Sequence, residues 1–255
     1  QSCTSHDLGQ NFARAFEIKY LDRDNTEKYC WTTSWGLSWR LLGAVIMVHG
    51  DDQGLRLPPK IAPIQVVIVP IFKNDTERAQ VFETAEQVSR SLKAAGLRVK
   101  LDDRDETPGY KFNDWEMRGV PVRIEIGPKD VANRSVMVAR RDLPGKAGKA
   151  SVGLEGLSEH IHALLDEIHH SLLKQAEDFQ NSNIRECFSW EEVKEAVQDG
   201  WALAPLEDNP ANDEFIREQL TAKTLNFPLD QAEGEWTCVV SGRPVRERAL
   251  IGKSY

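Results

Sequence analysis

The residues best suited to chemistry stand in "WTTSWGLSWR", Trp31 to Arg40, where three of the seven Trp fall around one guanidinium. A guanidinium is planar, always charged and able to stack on π faces, so a site for a planar substrate would explain the stretch. Packing of the Trp rings in a core would explain it too, and residue types alone leave both open. A second group lies in "DWEMRGVPVRIEIGPKD", which carries Glu116, Arg123 and Lys129. Taken singly, these are charges on a solvated strand edge. A third group is His160, His162, His169 and His170, close together in one helical stretch. No carboxylate or Cys is spaced to complete a coordination shell with them, so they are expected on a solvated helix face. The Cys residues, Cys3, Cys30, Cys187 and Cys238, stand far apart with no C-x-x-C pair. That spacing shows neither a zinc ribbon nor a disulfide framework and fits free thiols in a reducing cytosol.

These residues need elements to position them. "AFEIKY" alternates apolar and charged residues, as a half-buried strand does. "KYCWTTSW" would place Tyr29, Trp31, Thr33 and Trp35 on one face of another strand. "LSWRLLGAVIMVHG" is apolar almost all round, which suits a helix buried in a larger domain. The few elements of residues 1–60 cannot enclose it, and its partners are expected upstream of Gln1. After the Pro-rich connector "LPPKIAP" comes "IQVVIVPIF", a run typical of a strand buried on both faces. A helix is expected over Asp75 to Ala95, closed by Gly96. Then follow a strand at "LRVKLDD", a helix over Gly109 to Arg118, and strands at "VPVRIEIG" and "SVMVARRD". This alternation predicts an α/β layer domain with a mainly parallel sheet. Leu143 to Gly153 reads as a loose basic loop, and Leu157 to about Asn181 as one long amphipathic helix. Ser189 and Glu192 form a capping box at the start of a small third α/β domain.

The chain has 255 residues, 40% apolar and 28% charged, with net charge −8. These values are ordinary for a globular protein, and the acidic balance argues against one that blankets nucleic acid. No apolar run reaches membrane-spanning length, and the first residues lack the pattern of a signal peptide. A start at Gln1 is read as a fragment or processed product.

By "QSCTSHDLGQNF", "TTSWGLSWR", "GDDQGLRLPPKIAPIQVVIVP" and "TPGYKFNDWEMRGVPVRIEIGPKD", the chain resembles prolyl-tRNA synthetase, in the form of archaea, eukaryotes and some bacteria that carries an extra C-terminal domain. The resemblance implies three parts. Residues 1–62 would be the end of a class II antiparallel-sheet catalytic domain, 63–180 an α/β anticodon-binding domain with a mixed sheet, and 181–255 a small α/β C-terminal domain. It implies that Gln1, Thr4 and Arg40 bind ATP, with Arg40 of motif 3 against the adenine, and that His6, Ser34 and Gly36 line the proline pocket. None of these is assigned proton chemistry. Glu116, Arg123 and Lys129 would read anticodon bases of tRNA(Pro). Proline anticodons contain two guanines; Arg can be bidentate to O6 and N7, and Glu can accept from N1–H and N2–H.

The implied reaction is ATP-dependent activation of L-proline to prolyl-adenylate, with Mg²⁺, and transfer to tRNA(Pro). Motifs 1 and 2, with the Arg that binds the α-phosphate, are not matched in these residues, so the chain alone is expected to be inactive. A non-catalytic tRNA-binding module or synthetase paralogue is the competing reading. A homodimer would form through a region outside these residues, in the cytoplasm and away from membranes. The family often holds zinc with four Cys in its last domain. Here Glu207, Asn212 and Ser241 stand at three of those places beside Cys238, so no zinc is expected. The terminal Tyr255 matches a family residue whose free carboxylate folds towards the catalytic domain.

Overall fold

A computed structural model describes all residues except Gln1, Ser2, Pro144, Ala232, Glu233, Ser254 and Tyr255. The chain forms two compact units, 1–172 and 173–255.

The first unit opens with a two-stranded antiparallel ribbon, β1 (Cys3–Gly9) against β4 (Thr32–Leu37). Between them lie a short helix α1 (Asn11–Ala15) and the hairpin β2 (Lys19–Leu21) and β3 (Glu27–Tyr29). Two sequence expectations are corrected here. "AFEIKY" is a strand only in its last two residues, because Ala15 ends a helix and Glu17 adopts a left-handed φ of 53°. "KYCWTTSW" is two strands, broken at Cys30 and Trp31, so its alternating residues share no single face. Helix α2 (Arg40–His49) follows and has no buried residue.

The rest of this unit is a five-stranded mixed sheet in the order β6-β5-β7-β8-β9. Strand β5 (Val66–Pro70) is buried at every position, as its β-branched run requires. It pairs in parallel with β6 (Val99–Leu101) and β7 (Val122–Ile126). Helix α3 (Asp75–Ala94) starts at Asn74, whose side chain accepts from the Glu77 N–H, and ends before Gly96, at φ 86°. Helix α4 (Pro108–Met117) is capped by Thr107. After the short α5 (Pro128–Ala132) the sheet turns antiparallel with β8 (Ser135–Arg140) and β9 (Lys149–Gly153). The expected loose loop at 143–153 is therefore half strand, since "KASVG" finds a ladder partner in β8, and the sheet is mixed rather than mainly parallel.

Helix α6 (Leu157–Ser182) buries Leu157, Ile161, Leu164, Leu165, Ile168 and Leu172, a helical stripe, on the same sheet face as α3. Its His160, His162 and His170 are exposed and His169 is half-buried. On the other face α4 packs Trp115 against Val67, Val69 and Val120.

The second unit holds a sheet in the order β10 (Ile184–Glu186), β11 (Trp201–Pro205), β15 (Arg248–Gly252), β12 (Lys223–Asn226). Helix α7 (Trp190–Asp199) begins with the expected Ser189–Glu192 capping box, helix α8 (Pro210–Leu220) follows, and β13 (Trp236–Thr237) pairs with β14 (Pro244–Val245). Among the described residues no helix is long and apolar enough to cross a membrane.

Candidate functional site

The ribbon gathers four of the residues singled out in the sequence. Register pairs Thr4 with Gly36 and His6 with Ser34. Cross-strand partners share a face and residues two apart share it too, so all four stand on one side. Gly36 lies opposite Thr4, whose Oγ1 would be 3.5 Å from any added Cβ. A bare glycine there leaves backbone open to close approach. Ser5–Trp35 and Cys3–Leu37 alternate onto the opposite side. Arg40 begins α2, directly after this strand. Within these 255 residues Trp31, Trp35 and Trp39 are 73%, 77% and 88% exposed. Gln1 and Tyr255 lie outside the described residues.

The second gathering is a cleft beside α4 and the ends of β7 and β8. Arg123 lies in the buried β7, and its Nη1 donates to Glu116 Oε1 at 2.9 Å. Its Nε and Nη2 donate to Glu125 Oε1 at 3.1 and 3.0 Å, and its guanidinium lies 4.1 Å from the Phe112 ring centre. It is a held residue, with most of its donors engaged, and not a free strand-edge charge. A cavity of about 260 Å³ opens here, lined by Gln53, Glu116, Arg123, Arg140, Arg141 and Lys149 among others. Each of its cations has a carboxylate: Arg140 has Asp142 and Glu167, Arg141 has Asp51, and Lys149 has Glu125. The Arg141 hydrogen bonds hold the Asp51 carboxyl below its usual range. Lys129 does not join this group. It is exposed on α5, past the far end of β7 from Arg123.

What sets α4 at the right height is Asp102, which sequence reading passed over. Its side chain receives Arg104 Nε and Nη2 at 2.9 and 2.7 Å and the Trp115 indole N–H at 2.7 Å, while its carbonyl takes Lys111 Nζ at 3.2 Å. Burial pushes this carboxyl up, but the Arg104 and Trp115 hydrogen bonds outweigh it and hold the group at about 2. Trp115 is next to Glu116, so this buried anchor fixes the C-terminal end of the helix. The signal available in sequence was the doublet "DD" after a short strand, too common to single out. Lys149 was visible only as part of a basic loop, and Arg140 and Arg141 only as the end of a strand.

In the second unit, Glu207, Asn212, Cys238 and Ser241 do meet. Cys238 Sγ accepts from the N–H groups of Glu207 and Ser241 at 3.4 and 3.3 Å, with Asn212 Nδ2 at 3.9 Å. The Glu207 carboxylate turns instead to Ser241 Oγ at 3.0 Å and Arg243 Nη1 at 3.1 Å. Burial raises the Cys238 thiol, but hydrogen bonds led by Ser241 bring it below its ordinary value. One sulfur with an amide, a hydroxyl and an already paired carboxylate does not fit zinc. Among the described residues no cluster of three His, Cys, Asp or Glu could hold a metal.

Residues 65–164 match the family described as anticodon binding domain, and residues 190–255 match that described as prolyl-tRNA synthetase, C-terminal. The whole chain is 50% identical to the chloroplastic/mitochondrial proline–tRNA ligase of Arabidopsis thaliana, covering 48% of that protein. It is 50% identical over its whole length to the proline–tRNA ligase of Chloroflexus aurantiacus, covering 53%, and 43% identical to that of Flavobacterium johnsoniae, covering 52%. The chain thus corresponds to the C-terminal portion of prolyl-tRNA synthetase. It spans about half the length of the curated relatives it matches.

Proposed function

We propose that this chain is the anticodon-reading and C-terminal portion of a ligase that activates L-proline with ATP and Mg²⁺ and transfers it to tRNA(Pro). Residues 1–62 would complete a class II catalytic domain, 63–180 bind the anticodon, and 181–255 form a small C-terminal domain without zinc. A homodimer, working in the cytoplasm, goes with this reading.

The observation that carries it is the cleft at Glu116 and Arg123, inside the span matched as anticodon-binding. Arg123 occupies Glu116 Oε1, which leaves Oε2 to accept from a guanine N1–H. The two N–H groups that Arg123 has not committed can reach a base acceptor, and Phe112 and Glu125 keep the guanidinium from swinging away. Single-stranded loops expose the base edges such a cleft needs. Lys129, away from the cleft, would meet another part of the RNA.

On the ribbon, Thr4 and Arg40 would hold ATP, and His6, Ser34 and Gly36 the proline. All but Thr4 are exposed in these 255 residues. An open face cannot exclude water or hold reactants in attack geometry, so the chain by itself is proposed not to activate proline. The retained adenylate-side residues are what favour a ligase over a binding module.

The test is Arg123→Ala in the full-length ligase. Aminoacylation should weaken by about 1–3 kcal/mol of discrimination, the worth of a good base contact, while proline-dependent pyrophosphate exchange is spared. Equal loss in both assays would make Arg123 a structural residue and end this reading of the cleft.

A further inference from the structure

One wall of the cleft comes from outside the span matched as an anticodon-binding domain. Residues 51–57 precede that span, yet they are stitched to its rim. Arg141 Nη1 and Nη2 donate to Asp51 Oδ2 and Oδ1 at 2.8 and 2.5 Å, and its Nε donates to the Glu116 carbonyl at 3.1 Å. One guanidinium, 7% exposed, thus joins the turn to the residue beside the cleft mouth. The Leu55 and Leu57 N–H groups donate to the Met117 and Gly119 carbonyls at 3.0 and 3.2 Å, and Arg56 Nη2 donates to the Asp142 carbonyl at 3.1 Å. Two glycines make this approach possible. Gly54 has φ 123°, and a Cβ on it would fall 2.6 Å from Met117 Cα. Gly119 has φ 70°, and a Cβ on it would fall 2.6 Å from that of Leu55.

The turn carries Gln53 into the cavity lining. Its backbone N–H donates to Asp51 Oδ1 at 2.9 Å, which fixes its backbone, and its exposed side-chain amide makes no hydrogen bond to the described residues. A carboxamide offers two donors and one acceptor in a plane, the pattern that pairs with a base edge. The cations around it are already balanced by carboxylates. Such a cleft gains little from phosphate and selects by hydrogen bonding.

We propose that the Asp51–Gly54 turn is a specificity element of the anticodon cleft: Gln53 reads an unstacked base of the RNA loop, and Asp51 is a positioning residue acting through Arg141. This rests on the cleft being the anticodon site, as argued above.

The experiment titrates an RNA hairpin carrying the proline anticodon loop against the chain, beside hairpins with either guanine replaced by inosine or adenine. Gln53→Ala should weaken the cognate hairpin roughly three- to tenfold, the range of one net hydrogen bond. Melting temperature and salt slope should stay as in the unsubstituted chain, since no phosphate contact is lost. The weakening should vanish on one substituted hairpin, which identifies the base read. Asp51→Asn should reduce discrimination at the same base. Gln53→Ala binding every hairpin like the unsubstituted chain would overturn the proposal, as would a uniform loss across all hairpins with a lower melting temperature. Glu116→Ala separates the two readings. If it abolishes the cognate preference while the turn variants keep it, only the turn proposal fails. If the unsubstituted chain shows no preference and Glu116→Ala changes nothing, the cleft reading fails and takes this one with it.

Discussion

Helix α2 and strand β5 are both apolar along nearly their whole length, yet no residue of α2 is buried while all five of β5 are. Met47 stands 78% exposed and Val66 through Val69 not at all. The difference lies in neighbours. Strand β5 has β6 and β7 on either side, α3 and α6 over one face and α4 over the other. Helix α2 follows a ribbon whose own faces are open. Apolar composition states a demand for cover, and only packed partners meet it. The same contrast separates the two gatherings of polar residues. Those on the ribbon share a face and little else, whereas those of the cleft are locked by Phe112, Glu125 and the Asp102 anchor.

The widest break in this comparison is mutational. Ile124→Ala, deep in the sheet, should cost about 2–5 kcal/mol in chemical denaturation of the chain. Met47→Ser should stay within about 0.5 kcal/mol, as a surface change does. Similar costs for the two would mean that α2 is covered in solution and the contrast is wrong.

A smaller effect tests the anchor. Asp102 is held at about 2 in the folded chain, against about 3.9 for a free Asp. A lowered folded value means stability that is fully present above the unfolded value and drains away as pH falls towards the folded one. Between about pH 4 and pH 2 the chain should lose roughly 2 kcal/mol through this group. Denaturation midpoints measured across that window should show the loss, and Asp102→Asn should flatten it. An unchanged acid limb in Asp102→Asn would place the acid sensitivity elsewhere.

The smallest expected effect is none. The Glu207–Arg243 and Ser241–Cys238 contacts occupy the places where ligands would converge, so a strong chelator should leave the melting temperature of the chain unchanged. Elemental analysis finding near one zinc per chain, lost in Cys238→Ala, would overturn that reading.

Much of this was legible along the chain. The run at 66–70, the α3 and α7 caps, the stripe of α6 and the order of elements all follow from local pattern. Where reading failed, the cause was context. "KASVG" looks like a loop because all its residues but Val152 are small or polar, and it becomes a strand because β8 offers a free edge. "KYCWTTSW" alternates as one strand would, and a break at Cys30 and Trp31 divides it. Lys129 follows Arg123 closely in sequence and stands apart from it in space, because β7 carries the chain about 3.3 Å per residue away from the cleft.

By itself the sequence determined which residues could meet a base or a phosphate, since side-chain chemistry does not depend on the fold, and it determined most elements, since their periods are local. Tertiary structure decided which of those residues act together. Glu116 and Arg123 are brought to 2.9 Å by a helix end and a buried strand, and Asp51 meets Arg141 across 90 positions of chain. Contacts of that separation are set by how layers pack and by where two glycines let backbones touch, and no period within the sequence encodes them.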